Sequence, residues 1–74
     1  MSREIVALGE PAALAGFRMA GVRVLAAEGP EEIRRAWAGL SPEVGLVILT
    51  SRAAGAVPGH AELTRGPLVV VLPP

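Results

Sequence analysis

The chain has 74 residues, 51% of them hydrophobic, with seven Arg balanced by seven Glu and no Lys, Asp or Cys. Zero net charge leaves no basic excess to neutralise a run of phosphates, so nucleic acid is not an expected partner, and the missing thiols exclude disulfides, thiol catalysis and thiolate metal sites. The length fits one α/β domain over residues 1–74 that buries only about 60% of its unfolded surface, with a core of Val, Leu, Ile and Ala because Phe17 and Trp37 are the only aromatics.

After Met1-Ser2-Arg3-Glu4 the chain enters an apolar run too short and too early for a secretory signal, so cytoplasm is the expected compartment. No apolar run approaches the roughly 20 residues that span a bilayer, and direct membrane insertion is not expected. Ile5-Val6-Ala7-Leu8 has strand length and no polar alternation, the pattern of a strand buried on both faces. Pro11 then opens a helix predicted over 11–20, with Leu14 and Phe17 one turn apart, Ala13 and Ala20 extending the buried side, and Gly21 as a left-handed cap. Val22-Arg23-Val24-Leu25-Ala26 carries a charge in mid-run and reads as an edge strand.

The next helix, over 30–40, is the cleanest. Ile33, Ala36, Trp37 and Leu40 fall on one stripe, Pro30 suits the first turn, and Glu31 and Glu32 favour its positive end. Ser41-Pro42 stops it before a strand from Val44 to Leu49. The following connection predicts a turn or two of helix over Arg52 to Val57, a break at Pro58-Gly59 and a short piece over His60 to Thr64. Leu68-Val69-Val70-Val71-Leu72 reads as a last strand buried on both faces. The order βαβαβαβ predicts a parallel four-stranded sheet, order 2-1-3-4, flanked by helices in a receiver- or Rossmann-like three-layer α/β fold.

In such a sheet, chemistry gathers at the carboxyl ends of the strands, here Gly9-Glu10, Ala27-Glu28, Thr50-Ser51-Arg52 and Pro73-Pro74. No G-x-G-x-x-G follows the first strand, and Glu10-Pro11 in the turn repel a phosphate and remove an amide. Phosphorelay chemistry needs an Asp acceptor and a Lys, and neither residue type occurs. The hydroxyl of Thr50 or Ser51 is expected to cap the next helix instead. His60 has no second His, Cys or Asp beside it and reads as a solvated loop residue. Glu10 and Glu28, on adjacent strand ends, read as solvated caps or ion-pair partners before they read as a catalytic pair. No catalytic, cofactor-binding or metal-binding residue is therefore expected.

Leu8-Gly9-Glu10, Gly16-Phe17-Arg18-Met19-Ala20-Gly21-Val22, Gly29-Pro30-Glu31-Glu32 and Val44-Gly45-Leu46-Val47-Ile48-Leu49-Thr50 together resemble the F-subunit family of the V/A-type rotary ATPases. The most specific part is the Gly-Phe-Arg segment, seven residues after the Gly9 turn. Glu10 stands where that family usually carries Asp, and Pro58-Gly59 break its third helix. The resemblance implies a non-catalytic central-stalk subunit of a proton- or sodium-translocating complex. It would bind the coiled-coil shaft subunit and modulate ATP hydrolysis by the catalytic hexamer, without a cofactor, in the cytoplasm and peripheral to the membrane through the complex. Gly16, Phe17, Arg18 and Gly21 are the expected partner-binding residues. Family members continue into a C-terminal helix that embraces the stalk, which these 74 residues are not expected to contain. A homodimer through exposed sheet edges is the expected substitute in isolation. A stand-alone small-molecule or anion-binding module, using amides at the helix starts after Gly9 and Thr50, is the alternative.

Overall fold

A computed structural model describes residues 4–17, 21–57, 59 and 66–73. Its elements are β1 (Glu4–Gly9), α1 (Pro11–Leu14) running on as a 3-10 turn (Ala15–Phe17), β2 (Val22–Ala26), α2 (Pro30–Ala38), β3 (Val44–Leu49), α3 (Ser51–Ala56) and β4 (Leu68–Val71). The strands form one parallel sheet in the order β2-β1-β3-β4, as the alternation of strand and helix patterns predicts. The short piece expected over His60 to Thr64 lies outside the described residues.

Strand register divides the side chains between two faces. Val6, Leu8, Val47 and Leu49 face α2 and α3 and build the main core with Ile33, Ala53, Ala56 and Val57. Leu25, Trp37 and Val69 are packed against its margin. Ala7 and Leu14 are fully buried outside that core, where α1 lies across β1 and β2 on the opposite face. Pairing slips between Glu4–Val44 and Ile5–Leu46, so Gly45 is the extra residue of a bulge and Val44 rejoins the main core.

Helix α2 follows its sequence pattern. Pro30 occupies the first turn, Ile33 is fully buried, and Ala36, Trp37 and Leu40 are half-buried, while Arg34 and Arg35 are exposed. Gly39 N–H closes the end on the Arg35 carbonyl at 3.0 Å.

Two expectations need correction. Over its described residues, 11–17, the helix predicted for 11–20 is a single α-turn, then a 3-10 turn; Ala13 is exposed, and Ala20 lies outside the described residues. Leu14 is its one fully buried anchor, and Gly16 weakens helix just where the α-turn tightens. β4 is not buried on both faces. It is an edge strand, with Leu68 75%, Val70 48% and Val71 41% exposed.

Candidate functional site

At the carboxyl edge of the sheet, the ends of β1 and β3 meet. Gly9 closes β1 and passes so close to Thr50 that a Cβ there would stand 2.8 Å from the Thr50 Cβ. Thr50 N–H donates to the Leu8 carbonyl at 3.2 Å, which holds the residue against β1. The Thr50 side chain, 2% exposed, accepts from Ala53 N–H at 3.1 Å and so caps α3, as its position after a strand predicts.

The same hydroxyl donates to Glu10 Oε1 at 2.6 Å. That hydrogen bond holds the Glu10 carboxyl below its ordinary value of 4.5, helped by its own backbone N–H, opposed by desolvation, and aided last by the charge of Arg52. Sequence reasoning placed Glu10 beside Glu28 and missed its partnership with Thr50. The two residues are 40 positions apart. The available signal was Gly9, since a glycine between a strand and a helix also marks a close approach by another segment.

The helix starts are occupied by the chain's own groups. Glu32 Oε1 reaches back to Glu28 N–H at 3.3 Å and Gly29 N–H at 3.4 Å, so a carboxylate already sits over the amides that open α2. Ala13 N–H is taken by the Glu10 carbonyl at 3.1 Å, Pro11 offers no donor, and the Glu10 carboxylate hangs over the start of α3. These negative groups work against an anion at the starts after Gly9 and Thr50. A groove of about 220 Å³ between α2 and α3 is lined by Glu28, Ile33, Arg52 and Ala56, a set without nucleophile or imidazole. Among the described residues no group of His, Cys, Asp or Glu could hold a metal ion.

The expected partner-binding residues lie elsewhere. Gly16 is exposed and Phe17 half-buried in the 3-10 turn that packs on β2. Gly21, exposed, has the expected left-handed φ of +82°, but it turns the chain into Val22 beyond the last described helical residue, Phe17. Arg18, like His60, lies outside the described residues. Because Gly21 precedes the first residue of β2, the segment ends at the amino edge of the sheet, opposite Glu10 and Thr50. The described residues Gly16, Phe17 and Gly21 thus lie away from the strand ends where Gly9, Glu10 and Thr50 meet.

No helix among the described residues is long and apolar enough to cross a membrane. A protein-family model described as "ATP synthase (F/14-kDa) subunit" matches residues 5–74. Comparison with curated proteins gives no match.

Proposed function

The chain belongs to the family of ATP synthase (F/14-kDa) subunits, which are accessory parts of the enzyme, and on that premise we propose that it is a central-stalk subunit of a V/A-type rotary ATPase. In this reading it binds the coiled-coil shaft subunit, turns with it, and couples or regulates ATP hydrolysis by the catalytic hexamer of a proton- or sodium-translocating complex. It sits on the cytoplasmic side, peripheral to the membrane through that complex. The observation that carries the reading is the family match across residues 5–74.

Gly16, Phe17, Arg18 and Gly21 are proposed as part of the contact. The test is calorimetric titration of the chain into the shaft subunit, with Phe17→Ala and Arg18→Glu as variants whose folding is checked by circular dichroism. Saturable one-to-one binding that weakens by about tenfold in a folded variant is the expected result. A heat trace indistinguishable from dilution at every concentration would sink the stalk reading.

A further inference from the structure

The hydrogen bond between Glu10 and Thr50 passes around the carboxyl edge of the sheet and joins its two helical layers. Glu10 precedes α1, which lies over β1 and β2, and Thr50 precedes α3, which shares the opposite face with α2. Each residue stands at the N-cap of its own helix, yet only one caps it. Glu10 makes no side-chain bond to α1, whereas Thr50 accepts from Ala53 N–H.

The two helices on the main-core face begin differently. α2 carries Glu31 and Glu32 in its own first turn, and Glu32 reaches back to Glu28 N–H and Gly29 N–H. α3 has no acidic residue in its first turn. It is six residues long, well below the roughly 12 at which a helix begins to stand alone in water, and Gly55 weakens it further. Of its side chains only Ala53 and Ala56 are buried, and both are small. With so little apolar surface in the core, α3 depends heavily on how its start is held.

That start is held by one hydroxyl whose proton has a single place to go. The Glu10 carboxyl, kept below its ordinary 4.5 by this hydrogen bond first of all, is ionised near neutrality and can only accept. The Ala53 N–H can only donate, so Thr50 gives its proton to Glu10 Oε1 at 2.6 Å and turns a lone pair to Ala53 N–H at 3.1 Å. The carboxylate thus fixes the rotor and polarises its oxygen towards the helix amide. The other charge beside Glu10, on exposed Arg52, acts on the carboxyl less strongly than the hydroxyl does.

We propose that Glu10 is the latch of α3: acting through Thr50, it sets how readily that helix opens from the sheet. A displacement of the turn before α1 on one face therefore loosens α3 on the other. The device is independent of what the chain binds.

The test is amide hydrogen exchange of the 74-residue chain followed by NMR near neutrality. Ala54 N–H, bonded to the Thr50 carbonyl at 2.9 Å, and Ile33 N–H, bonded to the Gly29 carbonyl at 3.0 Å, hold equivalent places in α3 and α2. Glu10→Ala should speed exchange at Ala53 and Ala54 by about tenfold and leave Ile33 within about twofold, with Glu10→Gln, an uncharged acceptor, in between. On a Thr50→Val background, adding Glu10→Ala should change Ala54 by less than about twofold, because the hydroxyl that carries the effect is gone. Glu10 lies outside the core, so its variants should keep the parent's circular dichroism spectrum. Equal acceleration at Ala54 and Ile33, or no acceleration at Ala53 and Ala54 in folded Glu10→Ala, overturns the latch. A further tenfold rise on the Thr50→Val background overturns the route through Thr50.

Discussion

Thr50 connects three parts of the molecule through one hydroxyl and one amide: the end of β1, the Glu10 turn and the start of α3. Thr50→Val keeps the shape and strips both side-chain bonds, leaving a buried helix amide and a carboxylate short of a partner. It is expected to cost about 2 kcal/mol in urea denaturation, and Thr50→Ser, which retains the hydroxyl, under about 1 kcal/mol. The same bond gives stability a pH dependence. The folded Glu10 value is depressed, so its contribution is fully present above 4.5 and is lost as pH falls through the lower folded value. The stability difference between the parent and Glu10→Gln should therefore be constant near neutrality and shrink as thermal melts are run at progressively lower pH. Gly9→Ala would drive a methyl into Thr50 and should cost about 1 to 3 kcal/mol by the same denaturation assay. The cap was legible in the sequence because capping is local. The Glu10 bond was not, because it spans 40 positions and exists only after β1 and β3 have paired.

Among the elements, α2 was the most readable, since its apolar spacing, opening Pro30 and acidic first turn agree with one another. Ile33 is its fully buried member, so Ile33→Ala should destabilise by about 2 to 5 kcal/mol, while exposed Arg34→Ala stays within about 0.5 kcal/mol in the same denaturation curves. The first helix was overextended because alanines score well for helix wherever they fall, and Leu14 alone anchors the turn. β4 was misread for a related reason. A run of Val and Leu states that a strand is apolar; how many neighbours cover it depends on which crossovers lie on which face. The charge on Arg23 identified the β2 edge, whereas the β4 edge carries no such mark.

For the whole molecule, a 74-residue chain has little stability in reserve, and a partner that binds only the folded form supplies more by mass action. On the stalk reading proposed above, the shaft subunit at a hundredfold its Kd should raise the chain's stability by about 2.7 kcal/mol, and its melting midpoint by roughly 10 °C or more in a scan that resolves the two proteins. The strand order carries a further consequence, in time instead of space. β1 lies between β2 and β3, and its neighbour β3 is synthesised some forty residues after it: Ile5 pairs with Leu46. A chain growing from its amino end can pair β1 with β2 early, yet one side of its central strand stays open until β3 arrives. Folding must then close that long loop before the central contacts form, so the slow step belongs to the β1–β3 pairing and not to any helix. During that interval the unpaired apolar strand is the segment most in need of a chaperone.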